Sequence, residues 1–373
     1  MSGLKEQKCP GCGAAMRYDP ELGKMICDYC GTVLAIQPVK PGSAAAQAAA
    51  QEKPQQSAAD VIEGFDFASM TDHASVVSQD ALPVYTCVSC GADLVVTSTQ
   101  SALTCPFCGN NITLTGQLSG RLRPDGVIPF RISPKELPAA VNRFYKGKKL
   151  LPKGFFSEST MGEVTGVYVP FWVFNGRLSG RLSYTGYKAR SHRSGDYIIT
   201  ETDHYRLTRD AQVGFADLPV DASGRIEDKL MDSLEPFRLQ EMVPYDPRYL
   251  AGFTADRYDV AKSDIESRAG GRMQNSALSV ITPLATAGYT STGRSGGRLS
   301  TDLTAKYVLF PVYMFDLTFK GRNYHFAVNG QTGKVVGDLP TDKGVSFVYF
   351  LKRAAIVGGA LVAYSVVRYF LGY

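Results

Sequence analysis

Eight cysteines occur in the chain, and together they form four Cys-x-x-Cys pairs. The pairs are Cys9 and Cys12, Cys27 and Cys30, Cys87 and Cys90, and Cys105 and Cys108. Each of the last four cysteines lies 78 positions (87 minus 9) after its counterpart, and 14 residues separate the two pairs of each set. Two such pairs on a hairpin can place four sulfurs around one tetrahedral ion. The spacing predicts two zinc ribbons, each holding one Zn²⁺.

Disulfides and a thioredoxin-like redox site are the alternatives to zinc. A redox Cys-x-x-Cys normally occurs once, where a helix follows a strand. Here the pairs come in two matched sets that use every cysteine of the chain. A site closed by four thiolates leaves no position for water or substrate, so we predict a structural role for both ions. Intact thiolates also indicate a reducing compartment.

Charge is divided unevenly along the chain. Residues 1–110 contain 6 Lys and Arg against 11 Asp and Glu, so the remaining residues contain 34 (40 minus 6) against 24 (35 minus 11). Binding Zn²⁺ to four thiolates adds about −2 per site, which makes the ribbon half more acidic still. Duplex-binding domains usually present a basic face to phosphate. The charge division therefore disfavours nucleic acid as a partner and favours protein.

The composition predicts an α+β chain that is mostly β, built from ribbons, a β-rich domain and a final helix. A segment rich in Ala, Gln and Pro reads as a flexible linker because it cannot bury enough apolar surface to fold. The predicted domains are zinc ribbon 1 at 1–37, the linker and an ambiguous segment at 38–82, zinc ribbon 2 at 83–116, the β-rich domain at 117–342 and the C-terminal helix at 345–373.

The β-rich domain contains an internal repeat. "VPFWVFNGRLSGR" at 169–181 aligns with "FPVYMFDLTFKGR" at 310–322 at a constant offset of 141 (310 minus 169). Trp172 matches Tyr313, and Phe174 matches Phe315. The repeat predicts two related β-halves, in which the alternating aromatic residues form core packing rather than a ligand cage.

A basic helix is predicted within "ISPKELPAAVNRFYKGKKLLPKGF". Ser133 and Glu136 form a capping box, Pro134 suits the first helical position and Gly147 suits the end. Its last turn and the residues beyond it are rich in basic side chains. These include Arg143, Lys146, Lys148 and Lys149. They either complement the helix dipole in solvent or contact anionic lipid head groups or an acidic partner.

The tail "VSFVYFLKRAAIVGGALVAYSVVRYFLGY" is strongly apolar. Its charge-free core at 354–367 would extend about 21 Å, which is short for a bilayer of about 30 Å, whereas 354–373 would extend about 30 Å. We expect a single-pass anchor in the cytoplasmic membrane, with a buried or interfacial helix as the alternative. Lys352 and Arg353 would stay at the cytoplasmic face with the ribbons, while Arg368 would reach the opposite interface.

Catalytic motifs are missing from the sequence. It has no P-loop, no G-x-G-x-x-G before a helix and no G-x-S-x-G elbow, so no catalytic or organic-cofactor residue is predicted. His192 and His204 could face each other across a hairpin, although exposed strand histidines are the simpler interpretation. A hydrolase hidden in the β-rich domain is a weaker possibility, and a pocket lined by ionisable residues would indicate one.

The chain resembles a bacterial family of double-zinc-ribbon membrane proteins, often labelled TFIIB-type zinc-ribbon or primosomal-helicase-like. The likeness extends over nearly the whole chain. It rests on "CPGCG", "CPFCG", "GVYVPFWVFNGRLSG", "PVDASGRIEDKLMDSLEPF", "YLAGF" and "FAVNGQTGKVVGDLP". Members of this family look like proteins that act together with phage-shock-type membrane-stress proteins and with SPFH-type scaffold proteins. The resemblance implies a membrane adaptor with the eight cysteines as metal ligands.

Two functional hypotheses emerge. The first is a non-enzymatic, zinc-binding, membrane-tethered adaptor that recruits protein partners in an envelope-stress response. The second is a nucleic-acid-binding ribbon protein of replication or transcription, which the acidic ribbon half disfavours.

Overall fold

A computed structural model describes residues 4–36, 84–87, 89–108, 110–114, 118, 122–152, 154–155 and 160–371. The predicted linker at 38–82 lies outside these residues. The described part is mostly β, as predicted, and includes two four-cysteine groups and an apolar C-terminal helix. The remaining domain boundaries stay predictions.

The described residues form seventeen strands and four α-helices. The strands are β1 (Leu4–Glu6), β2 (Arg17–Asp19), β3 (Lys24–Ile26), β4 (Val33–Leu34), β5 (Val84–Thr86), β6 (Asp93–Val95), β7 (Gln100–Thr104), β8 (Asn111–Leu114), β9 (Gly126–Val127), β10 (Thr160–Met161), β11 (Thr165–Ser194), β12 (Tyr197–Asp221), β13 (Val243–Pro244), β14 (Thr254–Asp256), β15 (Thr290–Phe319), β16 (Arg322–Asn329) and β17 (Val335–Gly337). The helices are α1 (Leu137–Tyr145), α2 (Asp228–Ser233), α3 (Lys262–Ala285) and α4 (Lys343–Leu371), and short 3₁₀ turns cover Pro134–Glu136, Leu239–Glu241 and Pro247–Leu250.

The chain divides into two compact units. The first unit comprises Met1–Pro129, Tyr168–Asp228 and Arg238–Phe310, and the second comprises Phe130–Val167, Lys229–Phe237 and Pro311–Tyr373. Each unit is assembled from separate stretches of the sequence, so pairing between distant segments holds each of them together.

A mixed sheet with the neighbour order β1-β8-β7-β14-β11-β15 forms the centre of the first unit. Strand β12 pairs with β11, and β9 pairs with β13 and, in parallel, with β15. Strands β2, β3 and β4 form a separate antiparallel sheet, and β5 pairs with β6. Strands β7 and β8 of the second ribbon therefore join the large sheet together with β1, whereas β2, β3 and β4 of the first ribbon make a sheet of their own.

The longest pairing is the antiparallel hairpin of β11 and β12. A two-residue turn at Gly195 and Asp196 joins the strands, with Gly195 at a φ of +62°. This turn pairs Ser194 with Tyr197 and so fixes the register of the whole hairpin. Strand β15 lies beside β11 so closely that a Cβ at Gly180 would stand 2.2 Å from the carbonyl oxygen of Arg298. A glycine is therefore required at position 180.

Helix α3 packs on one face of these strands. The segment "SDIESRAGGRMQ" predicts a short helix at most, because its paired glycines disfavour helix formation. The helix is instead 24 residues long and continues through both glycines. Ile265, Ala269, Met273 and Ala277 are buried at a spacing of four residues. Burial of this apolar stripe against the sheet outweighs the cost of about 1 kcal/mol for each glycine.

Trp172 lies at the centre of the first unit's core and is fully buried. Its indole N–H donates to the carbonyl oxygen of Val260 at 3.0 Å, and its ring centroid lies 5.0 Å from that of Tyr258 and 5.7 Å from that of Tyr307. The aromatic residues of this segment form core packing, as the alternating pattern indicates.

The second unit contains the end of β15 paired with β16, and β16 paired with β17. The segment "HFAVNGQTGKVVG" predicts a hairpin that turns at "NGQTG". The structure confirms it, since the Asn329 N–H donates to Lys334 O at 2.9 Å and Gly333 has a φ of +72°. The helix predicted after Ser133 is also confirmed. The N–H of Ser133 donates to the Glu136 carboxylate at 2.8 Å, and α1 ends before Gly147, which has a φ of +92°.

Candidate metal centres

The first cysteine set lies on two turns of matching geometry. In the first turn, the N–H of Cys9 donates to Ala14 O at 2.8 Å and the N–H of Gly13 donates to Cys9 O at 2.9 Å. Cys27 makes the corresponding bonds with Thr32 and Gly31 at 2.9 Å each. Gly13 and Gly31 have φ values of +74° and +73°, which glycine adopts without strain. The sequence thus builds both turns locally.

The sulfur atoms of each set converge on one point. The Sγ atoms of Cys9 and Cys30 are 3.5 Å apart, as are those of Cys12 and Cys27. All four ligand atoms of a set lie within 4.8 Å of one another in both sets. A tetrahedral ion with metal–sulfur bonds of about 2.3 Å requires sulfur separations of about 3.8 Å. The geometry fits a tetrahedral metal ion held by four cysteines.

Backbone amides near the sulfurs favour the thiolate form, which is the form that binds metal. Burial raises the pKa of the Cys9 thiol, but the N–H groups of Cys12 and Gly11 outweigh it and bring the pKa to about 6. Burial likewise raises the pKa of Cys105, while the N–H groups of Cys108 and Phe107 lower it to about 7. Because of these lowered pKa values, both thiols release their proton readily when a metal ion binds.

The second set repeats this arrangement within the large sheet. Its Sγ atoms are 3.8 Å apart between Cys87 and Cys108 and between Cys90 and Cys105. Cys87 and Cys105 belong to the ribbon's own hydrophobic core, together with Leu94, Leu103 and Ile112. Because β7 pairs with β14 and β8 pairs with β1, this metal site supports strands that enter the main sheet.

Each set buries two cysteines and exposes the other two. Beside the exposed cysteines, each ribbon presents an aromatic side chain at the same position of its second turn. Tyr29 is 86% exposed and Phe107 is 71% exposed, and they are 78 positions apart (107 minus 29). Exposed aromatic side chains of this kind are enriched where proteins bind partners.

The basic residues predicted to contact lipid lie in two places. Arg143, Lys146, Lys148 and Lys149 are exposed at and beyond the end of α1, where the Lys148 ammonium lies 4.8 Å from the ring centroid of Phe144. Lys352, Arg353 and Arg368 are exposed on α4. Helix α4 is long and apolar enough to cross a membrane by length and composition, with none of its apolar window buried.

His192 and His204 do not face each other, and both are exposed on strands, as the simpler interpretation predicts. The turn at Gly195 sets a register that pairs His192 with Ile199 and His204 with Tyr187. The fourth histidine of the chain, His325, contacts the Asp316 carboxylate through Nδ1 at 2.6 Å. Among the described residues, the groups of three or more close metal-ligand atoms are the two cysteine sets.

Sequence reasoning missed one polar cleft in the first unit. It has a volume of about 390 Å³ and is lined by the end of β12 with Asp221, the start of α2 with Asp228, and the start of α3 with Asp264 and Arg268. These residues lie about 40 positions apart, so no local spacing could have indicated them. The only signal in the sequence was the segment "PVDASGRIEDK", which is rich in acidic residues.

A comparison with known proteins found a relative in Bacillus subtilis (strain 168). The two sequences are 33% identical over 368 residues, which is 98% of this chain and 98% of the relative. The relative is described as "Uncharacterized protein YdjG". No protein-family model matches the chain, and no solved structure matches it. The similarity thus extends from the ribbons to the C-terminal helix.

Proposed function

We propose that this chain, which belongs to the family of the Bacillus subtilis protein YdjG, is a zinc-binding adaptor tethered to the cytoplasmic membrane. It has no catalytic role in this proposal, and its ribbons recruit protein partners to the cytoplasmic face. The observation that carries the proposal is the combination of two closed four-cysteine sites with a long, exposed apolar helix in one chain.

Zinc is the metal that we propose for both sites. Four thiolates in tetrahedral geometry select zinc or iron–sulfur chemistry over magnesium or calcium. Backbone amide donors around Cys9 and Cys105 stabilise the thiolate form of these cysteines. Among the described residues, each metal-ligand group consists of its four cysteines alone, with no fifth His, Asp or Glu ligand. Four protein ligands leave no open position, so we propose that the ions are structural.

Helix α4 supports the proposed tether. Its 29 residues extend about 44 Å, so the apolar stretch can span the hydrocarbon and leave both ends in the interfaces. Arg353 donates to the Tyr349 hydroxyl at 3.1 Å, one turn toward the N-terminus. Its guanidinium therefore points away from the charge-free core at 354–367. We place the cytoplasmic interface at 349–353, which keeps the ribbons in the reducing cytosol.

The ribbons supply the proposed partner surface. Tyr29 and Phe107 are exposed at equivalent positions, and the N-terminal 110 residues are acidic. An aromatic anchor beside a four-thiolate zinc site, which carries about −2, suits a protein partner with a basic rim. By resemblance, we propose that the partners are phage-shock-type or SPFH-type proteins of the envelope-stress response.

Deleting residues 343–373 should move the protein from the membrane to the soluble fraction. A helix of this length and hydropathy anchors nearly irreversibly, whereas an interfacial helix binds reversibly. Fractionation followed by extraction with alkaline carbonate checks both points. We expect the full chain to resist extraction and the shortened chain to be soluble.

A charge-matched variant controls for folding. Val357→Lys and Leu361→Lys together place two charges within the apolar core and should also release the protein, while Val345→Lys and Val348→Lys together, near the start of the helix, should not. If the full chain is extracted by carbonate, the spanning tether is wrong and an interfacial helix replaces it.

The nucleic-acid hypothesis is tested by filter binding of single- and double-stranded DNA over a salt series. We expect weak binding with a shallow salt slope because the ribbon half is acidic. Tight binding with a steep negative slope would favour a role in replication or transcription instead.

We also propose that the β-rich domain arose by duplication. Segment 169–181 lies in β11, and residues 310–319 of the aligned segment 310–322 lie in β15, so both segments belong to strands of 30 residues. Their matched aromatic residues Trp172, Tyr313, Phe174 and Phe315 are all buried. Equivalent burial at equivalent positions supports a common origin of the two halves.

A further inference from the structure

The cleft at the end of β12 contains a carboxyl group with an unused hydrogen-bonding oxygen. Asp221 is the last residue of β12, lines the cleft and is only 2% exposed. Its Oδ1 accepts from the N–H of Ser223 at 3.2 Å, while Oδ2 is buried and has no hydrogen-bond partner. Burying such an oxygen without a partner is unfavourable, and more so if the carboxyl group is charged. A ligand that donates to Oδ2 would recover that cost.

The walls of the cleft are rigidly built. The carbonyl oxygen of Ala222 accepts from the N–H groups of both Asp259 and Val260 at 3.2 Å, and Gly224 N–H donates to Asp259 Oδ1 at 2.7 Å. These bonds hold the turn after β12 against the segment that leads into α3. The position of Asp221 is therefore fixed by the backbone before any ligand arrives.

The charge of the cleft favours a cation. Arg268 pairs with Asp228 at 2.7 Å, so these two charges compensate each other. Asp221 and Asp264 form no ion pair among the residues that the structure describes, although the charge of Arg268 also acts on Asp221, and Asp264 accepts a hydroxyl donor, Ser263 Oγ, at 3.2 Å. Burial raises the pKa of Asp221 to about 7; the Ser223 N–H and the charge of Arg268 lower it, while the charges of Asp228 and Asp259 raise it. A positively charged ligand would lower the pKa of Asp221 again, because it would stabilise the carboxylate.

The apolar residues of the cleft indicate the remainder of the ligand. Ile226, Val260 and Ile265 line it beside the carboxyl groups, and Ile265 is 4% exposed. These apolar side chains can contact a short aliphatic chain of the ligand, and both lysine side chains and diamines contain such a chain.

Two other cations fit less well. A divalent metal requires several oxygens around one point, yet among the described residues only the cysteine sets bring three or more ligand atoms that close. A guanidinium binds a carboxylate through both oxygens, and Asp221 has only Oδ2 free. An ammonium group donates single hydrogen bonds in several directions and can satisfy one oxygen.

We propose that this cleft binds an alkylammonium group, with Oδ2 of Asp221 accepting an N–H from the ammonium and with Asp264 and the aliphatic walls holding its charge and stem. Two sources share this chemistry: a free diamine and the side chain of a lysine. The site is independent of the proposed adaptor function, because it lies outside the ribbons and α4.

Isothermal titration of the full chain in detergent tests the proposal. The probes are 1,5-diaminopentane, Nα-acetyl-lysine methylamide, 1-pentanol as the uncharged stem, and MgCl₂. We expect saturable binding of at least one of the two amines and no binding of pentanol or Mg²⁺. The tighter of the two amines identifies the source.

Asp221→Asn and Asp203→Asn form a matched pair of variants. Asn keeps an oxygen for the Ser223 N–H but removes the charge and the acceptor available to the ammonium. We expect Asp221→Asn to weaken amine binding about tenfold or more, as losing a charged hydrogen bond does. Asp203 is exposed on β12 outside the cleft, and its substitution changes the net charge equally. It should leave the affinity unchanged.

Proton release distinguishes direct contact from a structural effect. With a pKa of about 7, Asp221 is about half protonated at pH 7, so an ammonium that stabilises the carboxylate should release about half a proton. Titrations in buffers of different ionisation enthalpy measure this number, and Asp221→Asn should abolish it. The proposal is overturned by no saturable amine binding, by equal affinity in Asp221→Asn, or by Mg²⁺ binding that depends on Asp221.

Discussion

Cys105→Ser should remove one of the two metal ions and loosen the large sheet of the first unit. Cys105 is buried in the ribbon core, and its ribbon strand β7 pairs with β14. Structural zinc contributes about 10–16 kcal/mol in small zinc-finger peptides, so we expect a loss on the order of 5 kcal/mol in the ribbon. Hydrogen exchange should accelerate in β7 and β8 and spread to β14 and β1.

Cys27→Ser is the matched control, since Cys27 occupies the same place in the first ribbon. It should also remove one metal ion, but its accelerated exchange should stay within β2, β3 and β4, which form a separate sheet. Metal analysis and exchange mass spectrometry of both variants check this difference. Equal spreading in the two variants would contradict the different roles of the two ribbons.

Trp172→Ala should destabilise the first unit by about 3–5 kcal/mol. The substitution removes a fully buried ring from contact with Tyr258 and Tyr307 and leaves a cavity. It also leaves the Val260 carbonyl without its indole donor, which adds about 1 kcal/mol or more. Urea unfolding followed by far-UV circular dichroism measures the change in the free energy of unfolding.

Tyr197→Ala provides the reference, because this side chain is 77% exposed at the end of the β11–β12 hairpin. Its effect should stay within about 0.5 kcal/mol. Trp172→Phe should fall between the two, since it keeps most of the packing but loses the N–H. A loss below about 1 kcal/mol for Trp172→Ala would contradict the placement of this residue at the centre of the core.

The metal sites could be predicted from sequence because everything they need is local. The cysteine spacing, together with the glycines at 13, 31 and 91 in left-handed conformations, specifies each turn within a few residues. The capping of α1 and the turn at "NGQTG" were predictable for the same reason. Local signals of this kind do not depend on how the rest of the chain folds.

Features that depend on distant pairing escaped prediction. The two-residue turn at Gly195 sets the register of β11 and β12, and counting outward from it places His192 opposite Ile199 rather than opposite His204. Helix α3 reaches its full length because its apolar stripe is buried against the sheet. The strands of that sheet come from other parts of the chain, so the sequence of the helix alone could not indicate this length. The Asp221 cleft needs β12 and α3 to meet, and the pairing of β7 with β14 needs segments about 150 residues apart.

Metal content of the full chain, purified in detergent under reducing conditions, tests the central claim most directly. Plasma mass spectrometry should find two zinc ions per chain. Thiol titration of the denatured chain, after a chelator has removed the zinc, should find eight reduced thiols. Fewer than one metal ion per chain, or disulfide-bonded cysteines in protein taken rapidly from cells, would contradict the assignment of both cysteine sets as structural zinc sites.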